Sequence, residues 1–207
     1  MIIEPKNKNI SKIIPPNYST WQTIELSYLC AKDVISRGVE GSFVECGVAT
    51  GNNLAAMCYA GRFGVGFDSF VGIPYAGVND TEQPGLGAKD ETKHGILESS
   101  GITVHGQDQV VANFDKWGIS NYTLIEGWFQ NTVHEYDQDI AVLRLDGDLY
   151  ESTIVCLEHL YPKLSKGGIM IIDDWNLDGC RKAFYDYFMN KTLPKLILDN
   201  GITYWEK

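Results

Sequence analysis

The sequence predicts an α/β protein built on a mostly parallel sheet of seven strands, with a C-terminal antiparallel hairpin and helices on both faces. Short apolar segments of strand length alternate along the chain with segments whose apolar residues recur every three or four positions. Strands that are separated by helices pair in parallel. The last two strands instead flank Asp199-Asn200-Gly201, a sequence typical of a hairpin turn, so we expect them to pair antiparallel.

The composition is that of a globular protein whose partners are not polyanions. The chain has 207 residues and a formal net charge of −10, which disfavours nucleic acid and anionic membranes as partners. Residues 1–19 lack the apolar core of a secretory signal, and the five cysteines, without a Cys-x-x-Cys pair, are typical of buried free thiols. We therefore expect a cytoplasmic protein with an N-terminal leader, residues 1–19, and a single domain, residues 20–207.

The first half of the predicted sheet has three strands, each preceded by a helix. From Thr20 the apolar residues step by three and four as far as Gly38, which predicts the first helix. Two further helices are predicted at residues 54–60 and 110–117. The strands that follow the three helices are predicted at residues 42–46, 63–67 and 122–125.

The second half is expected to supply two buried strands and the hairpin. The first buried strand is apolar apart from Arg144, and the helix after it is expected to run to Gly167-Gly168. Asp148, three residues before Glu151, resembles the start of a capping box, and Asp178 is expected to cap the next helix. The strands of this half are predicted at residues 140–145, 169–172, 196–198 and 202–205.

Residues 75–106 interrupt the alternation of helices and strands. This segment is rich in Gly, Asp, Thr and Glu and has few large apolar residues. A connection of this length is usually functional. We expect a lid over the binding site that becomes ordered when ligands bind.

Polar residues and glycines after the first two strands indicate a nucleoside site. Glu45, Gly47 and Gly51 lie at the first strand-to-helix turn, and Asp68 ends the second strand, 23 residues after Glu45. A carboxylate at that position can accept hydrogen bonds from both ribose hydroxyls. The spacing is not that of a dinucleotide site, and an acidic residue beside the turn would repel a pyrophosphate. S-adenosylmethionine, which carries a sulfonium and an amino group and no phosphate, fits better.

Carboxylates also end the two buried strands of the second half. Asp146 follows one strand, and Asp173 and Asp174 follow the next. Because the carboxyl ends of neighbouring parallel strands meet at one edge of the sheet, the three side chains should lie close together, where only a cation or shared protons would relieve their repulsion. Oxygen ligands of this kind suit Mg²⁺.

These residues resemble the macrocin O-methyltransferase family of S-adenosylmethionine- and Mg²⁺-dependent sugar methyltransferases. The similarity runs from about Thr20 to Trp205, and its most specific blocks are the eleven residues from Leu143 to Thr153 and the Asp173-Asp174 pair. Other matching blocks are Gly41-Ser42-Phe43-Val44-Glu45-Cys46-Gly47-Val48, Asp68-Ser69-Phe70-Val71-Gly72-Ile73-Pro74 and Glu126-Gly127-Trp128-Phe129-Gln130-Asn131-Thr132. The short segment before Trp21 and the residues from Asn131 to His134 depart from the pattern of the macrolide-modifying members.

The resemblance implies a Rossmann-like class I methyltransferase fold and a set of site residues. Asp146, Asp173 and Asp174 would be the metal ligands, with Mg²⁺ or Mn²⁺ as the ion. The cofactor contacts implied by the resemblance are Glu45, Gly47, Asp68 and Ser69, with Gly106, Gln107 and Trp128 at the adenine end and Thr20 near the methionine end.

The predicted function is metal-dependent methyl transfer from S-adenosylmethionine to a hydroxyl of a sugar or another vicinal diol. Asp146 is a candidate proton acceptor as well as a ligand, and His94, in the predicted lid, is an alternative base. A catechol-type O-methyltransferase, a non-catalytic nucleoside-binding module and a metal-dependent hydrolase are the alternatives. We expect a small glycosyl or diol acceptor and a homo-oligomer.

Overall fold

The computed structural model describes residues 3, 5, 8–81, 93, 95–199 and 201–207. All the strands that these residues form belong to one sheet. These strands are β1 (Ser42–Cys46), β2 (Gly64–Asp68), β3 (Tyr122–Glu126), β4 (Ile140–Leu145), β5 (Leu164–Ile172), β6 (Ile197–Asp199) and β7 (Ile202–Glu206). The α-helices of the described residues are α1 (Trp21–Ser36), α2 (Asn52–Tyr59), α3 (Gln107–Trp117), α4 (Phe129–Thr132), α5 (Tyr150–His159) and α6 (Asp178–Phe188). None of these helices is long and apolar enough to cross a membrane.

The strand order is β3-β2-β1-β4-β5-β7-β6, so the direction in which strands are added reverses between β1 and β4. Strands β1 to β5 pair in parallel, and β7 pairs antiparallel with both β5 and β6, as the hairpin predicts; Asn200, in the predicted turn, lies outside the described residues. The carboxyl ends of β1 and β4 are in direct contact at the reversal. A Cβ at Gly47, whose φ is +91°, would lie 1.8 Å from the carbonyl oxygen of Asp146, so only glycine fits there. A parallel sheet binds its ligands at such a point.

Helices cover both faces of the sheet, and the pleat sends alternate side chains to each. Phe43, Val142 and Ile171 pack with α1, α2 and α3 in one core cluster. Val44 and Leu143, the residues next to them in the strands, pack with α5 and α6 in the other. The five cysteines are buried free thiols, as expected, and lie in or beside these cores.

The chain before α1 packs against the first of these cores. Ile10 and Ile14 are buried in it, and Oε1 of Glu25 accepts hydrogen bonds from the backbone N–H groups of Ile10 and Ser11, at 2.7 and 3.2 Å. Pro15 adds a carbonyl that accepts from the side chain of Asn52 at 2.7 Å. Residues of the predicted leader, 1–19, therefore pack against the domain that was predicted to begin at residue 20.

Three expectations for the second half were wrong. Helix α5 ends at His159 rather than near Gly167, because a separate 3-10 turn that contains Pro162 follows it and β5 starts at Leu164. Neither Asp148 nor Asp178 caps a helix with its side chain: the N-cap of α5 is Leu149, and Asp178 is the first residue of α6.

The first part of the predicted lid segment forms hydrogen bonds with the first residues of α5 and α6, the two helices that those aspartates were expected to cap. The carboxylate of Asp80 accepts a hydrogen bond at 2.8 Å from the backbone N–H of Tyr150, in the first turn of α5. Thr81 donates through its backbone N–H and its hydroxyl to Asp178, at 2.8 and 2.7 Å. Residues 82–92 and residue 94 of the predicted lid lie outside the described residues.

Candidate active site at the carboxyl edge of the sheet

A cleft of about 280 Å³ opens where β1, β2, β4 and β5 end. Its walls come from the loops that follow these strands and from the chain before α1. The residues on the side of the first two strands include Tyr18, Ser19, Gly47, Val48, Asp68 and Ser69. On the side of β4 and β5 lie Asp146, Asp148, Asp173 and Asp174, and Trp128 and Phe129, which follow β3, also line the cleft.

Asp68 is fixed against the glycine turn that follows β1. Its Oδ2 accepts hydrogen bonds from the backbone N–H groups of Val48 and Ala49, at 2.7 and 3.0 Å, and its Oδ1 accepts from Phe70 at 2.7 Å. Burial raises the pKa of this carboxyl, and the three backbone hydrogen bonds oppose the shift. Each carboxylate oxygen can accept more than one hydrogen bond, so Asp68 keeps acceptor capacity for a ligand at the turn. Ser69 lies beside it, with its hydroxyl bonded to the carbonyl of Gly72.

Asp146, Asp173 and Asp174 come together as predicted. One carboxylate oxygen from each lies within 4.8 Å of the others. Burial raises the pKa of Asp173 to about 7 against the opposing charge of Arg144, and burial and the charge of Asp148 raise the pKa of Asp174. Oδ1 of Asp173 is buried and has no hydrogen-bond partner among the described residues. A cluster of oxygen donors with an unsatisfied member fits a hard divalent cation.

Asp148 adds a fourth carboxylate, which the sequence analysis assigned to a helix cap. Its backbone has a φ of +60°, and its N–H donates to Oδ2 of Asp174 at 3.0 Å. Burial, together with the charges of Asp146 and Asp173, raises its pKa to about 7. A non-glycine residue in this conformation is uncommon and marks a local constraint. The signal available in the sequence was the second Asp of Asp146-Gly147-Asp148, two residues after a predicted ligand.

Glu45 does not lie at the cleft, which corrects the expectation that it faces the cofactor. It lies within β1, directly beside Arg144 of β4, and the side chains of both are 1% exposed. Nη1 of Arg144 lies 2.8 Å from Oε1 of Glu45. Burial raises the pKa of Glu45 to about 8, and the charge of Arg144 opposes that shift. The sequence showed that Glu45 is polar, but it did not show whether its side chain faces the cleft or the interior of the sheet.

The other predicted cofactor contacts divide into two groups. Trp128 lines the cleft, as do Gly47, Asp68 and Ser69. Gly106 and Gln107 are instead the N-cap and first residue of α3, and Thr103, slightly earlier, lines the cleft. Thr20 is the N-cap of α1, next to Tyr18 and Ser19, which line the cleft and were missed. His94, the alternative base, lies outside the described residues.

Comparison with known proteins relates this architecture to sugar methyltransferases. A model of the macrocin-O-methyltransferase (TylF) family matches residues 24–207. The chain is 38% identical over 169 residues to the 8-demethyl-8-(2,3-dimethoxy-alpha-L-rhamnosyl)-tetracenomycin-C 4'-O-methyltransferase of Streptomyces olivaceus, an alignment that covers 76% of this chain and 62% of that protein. It is 31% identical over 191 residues to the demethyldecarbamoylnovobiocin O-methyltransferase of Streptomyces niveus, with 86% of this chain and 70% of that protein covered.

A solved structure shares the fold over most of both chains. The O-methyltransferase NovP superposes with a TM-score of 0.75 at 30% sequence identity, over 91% of this chain and 81% of that one. The predicted fold class, a mostly parallel seven-stranded sheet with a C-terminal antiparallel hairpin, is confirmed.

Proposed function

The chain belongs to the macrocin O-methyltransferase family, as its motifs predicted, and from this premise we propose that it transfers a methyl group from S-adenosylmethionine to a hydroxyl of a glycosyl acceptor, with a divalent cation bound by Asp146, Asp173 and Asp174. One observation carries the proposal. The turn of Gly47 and Asp68, suited to a nucleoside, and the cluster of three aspartates line the same cleft.

The cofactor would bind along the ends of β1 and β2. Asp68 is held rigidly where a ribose would lie, and Gly47 lets the chain turn without a side chain that would intrude. Ser19 and Tyr18 lie on the same side of the cleft and would border the amino-acid end of the cofactor. Such a position would direct the methyl group towards the aspartates.

Mg²⁺ or Mn²⁺ at Asp146, Asp173 and Asp174 would lower the pKa of a neighbouring acceptor hydroxyl. The chain itself must orient the acceptor, exclude water and take up the hydroxyl proton. The acceptor oxygen would form a bond to the methyl carbon as the carbon–sulfur bond breaks, and the electron pair of the broken bond would pass to sulfur. The products would be the methyl ether and S-adenosylhomocysteine.

Asp148 is the described residue best placed to take the proton. It lines the cleft beside the triad without belonging to it, so its carboxylate could accept the proton while the three aspartates hold the cation. Asp146, the candidate from the sequence, is already engaged by Arg144 at 2.8 Å. The proton would thus end on a carboxylate that the ligand set does not use.

A glycosyl acceptor is favoured by the relative from Streptomyces olivaceus, which is named as the 4'-O-methyltransferase of a rhamnosyl tetracenomycin. An aromatic diol is the second candidate, because Trp128 and Phe129 line the cleft and offer flat apolar surfaces. The homo-oligomer and the cytoplasmic location stay predictions.

Calorimetry with S-adenosylhomocysteine and Mn²⁺ tests the proposal, with Asp173→Asn as the variant and Asp115→Asn, on the exposed side of α3, as the matched control. The wild type and the control should bind both ligands. Asp173→Asn should lose roughly 100-fold in Mn²⁺ affinity, which corresponds to about 2.7 kcal/mol, and keep its affinity for S-adenosylhomocysteine.

Incubation with S-adenosylmethionine and either rhamnosides or catechol then distinguishes the two acceptor classes. Binding of S-adenosylhomocysteine without methylation of any diol would favour the nucleoside-binding module. A wild type that binds no Mn²⁺ in the presence of S-adenosylhomocysteine would overturn the metal half of the proposal.

A further inference from the structure

Arg144 lies beneath the three aspartates and contacts two of them. Its Nη1 is 2.8 Å from Oδ2 of Asp146, and its Nη2 is 3.0 Å from Oδ2 of Asp173. The same Nη1 also contacts Glu45 at 2.8 Å. A single guanidinium, 1% exposed, therefore joins two candidate metal ligands to the interior of the sheet.

We propose that Arg144 is a positioning residue that holds Asp146 and Asp173 in the arrangement of metal ligands, and that Glu45 and Asn53 hold Arg144. The proposal rests on the proposed function, because it assigns Arg144 a role towards the cation that the aspartates would bind. Glu45 and Arg144 are buried and do not line the cleft, so they would touch neither the cation nor the acceptor, whereas Asn53 lies at its wall.

The geometry of the guanidinium explains how it would act. Arg144 uses two different nitrogens for the two aspartates, and each aspartate accepts through Oδ2 alone. A carboxylate with one oxygen fixed has little freedom to rotate, and its other oxygen is left for a ligand. Oδ1 of Asp173 is buried and has no partner among the described residues. Lysine has a single side-chain nitrogen, so it could not present a separate nitrogen to each of the two carboxylates.

Arg144 is itself held from two sides. Glu45 is its direct neighbour in the pairing of β1 with β4, so the ion pair is built into the register of the sheet. From α2, Asn53 satisfies all its neighbours when Oδ1 faces Arg144, accepting from Nη2 at 3.1 Å and from the Ser19 hydroxyl at 2.7 Å, while its nitrogen donates to Thr23 and Ser27. These contacts fix the guanidinium independently of the aspartates.

An Arg144 that served only as a structural ion pair would not strengthen metal binding. A positive charge at this distance opposes a second cation, so an Arg144 that only neutralised the aspartates would compete with the metal. Replacement by lysine keeps the charge and removes the two-nitrogen contact. The metal affinity of Arg144→Lys therefore reports on orientation with little contribution from charge.

In the experiment, Mn²⁺ is titrated into the wild type, Arg144→Lys and Arg37→Lys in the presence of S-adenosylhomocysteine. Electron paramagnetic resonance monitors the binding of Mn²⁺. Arg37 is the matched control because it is also ion-paired, to Asp33 at 2.6 Å, and it is the C-cap of α1 and does not line the cleft. We expect Arg144→Lys to bind Mn²⁺ about tenfold more weakly and Arg37→Lys to bind within about twofold of the wild type. Equal or tighter binding by Arg144→Lys overturns the proposal.

Asn53→Leu provides a second test should Arg144→Lys fail to fold. It changes no charge and removes the contact with Nη2 of Arg144, so a loss of about threefold in Mn²⁺ affinity is expected. Asn121→Leu is its control, because Asn121 is bonded to the carbonyls of Cys58 and Arg62 far from the aspartates. Wild-type affinity in Asn53→Leu overturns the proposal, whereas a wild type that binds no Mn²⁺ overturns it together with the metal half of the proposed function.

Discussion

The two layers that flank the sheet differ sharply in chemistry. Between the sheet and α5 and α6 the core is aromatic, with Phe184, Phe188 and Trp205 in mutual contact. Between the sheet and α1 and α2 it contains the buried polar side chains of Glu45 and Arg144, whose interactions extend to the cleft. One face of the sheet thus carries an aromatic core, and the other carries ion pairs that connect the core to the cleft.

The aromatic layer has few polar groups to satisfy. The ring of Phe184 packs at centroid distances of 4.8 to 5.4 Å against Phe188, Trp175, Tyr185 and Trp205, in geometries that aromatic rings favour. The indole N–H of Trp205 donates to the hydroxyl of a tyrosine at 3.1 Å. The polar layer instead buries charges, which cost free energy unless each has its partner.

The largest expected effect lies in the aromatic layer. Phe184→Ala should lower the free energy of unfolding by about 3–5 kcal/mol, because it removes a fully buried ring and leaves a cavity. The affinity for S-adenosylhomocysteine should stay unchanged at a temperature where the variant is folded. Urea unfolding and calorimetry measure the two quantities. A weakened ligand affinity in the folded variant would show that the aromatic layer also contributes to ligand binding.

Arg144→Met should destabilise the protein by about 3 kcal/mol in the absence of metal, because it leaves the carboxyl groups of Glu45, Asp146 and Asp173 without their buried cation. Adding Glu45→Gln to this variant should recover part of the loss, because one of the unpaired acids is removed. A double-mutant cycle by urea unfolding measures the coupling. Additive losses would mean that the ion pair contributes nothing.

The polar layer should also make the stability of the metal-free protein depend on pH. Burial raises the pKa of both Asp148 and Asp173 to about 7 in the folded chain, well above the ordinary value for aspartate. The fold therefore binds more protons than the unfolded chain between these values, and the stabilisation is present at low pH and lost as the pH rises through 7. We expect a loss of about 2 kcal/mol between pH 6 and pH 8 in EDTA.

Mg²⁺ should reverse this loss, because it binds the deprotonated carboxylates. Thermal unfolding at the two pH values, with EDTA or with Mg²⁺, provides the measurement. Phe184→Ala serves as the control, since its lost contacts carry no charge and its destabilisation should be equal at both pH values. A metal-free wild type that is equally stable at pH 6 and pH 8 would contradict the expectation.

The sequence predicts those features that depend on local pattern or on strand ends. The order of helices and strands follows from apolar spacing, and the meeting of Asp146 with Asp173 and Asp174 follows from the parallel pairing of two adjacent strands. The helix caps were wrong because the group that binds the first turn of α5 is Asp80, 70 residues before Tyr150. No spacing rule reaches across such a distance.

Arg144 and Glu45 show the other limit. The lone arginine in an otherwise apolar strand was visible in the sequence, and a buried charge of this kind costs free energy unless it has a partner. Which acid does so depends on the register of β1 against β4, and that is set by the packing of the whole sheet. The sequence therefore revealed that Arg144 was unusual and did not reveal its partners.

The smallest expected effect concerns Thr20, at the edge of the polar layer, for which the resemblance and the structure suggest different roles. Its Oγ1 accepts a hydrogen bond at 3.3 Å from the backbone N–H of Thr23, as an N-cap does, whereas the resemblance predicts a contact with the cofactor. Thr20→Ala should cost about 1 kcal/mol in the free energy of unfolding and leave the affinity for S-adenosylhomocysteine unchanged. Thr20→Ser, which keeps the hydroxyl, should match the wild type in both measurements. Because Ser19 already lines the cleft next to it, a tenfold loss of affinity in Thr20→Ala that Thr20→Ser does not share would show that the polar layer reaches the cofactor one residue further along the chain than the structure indicates.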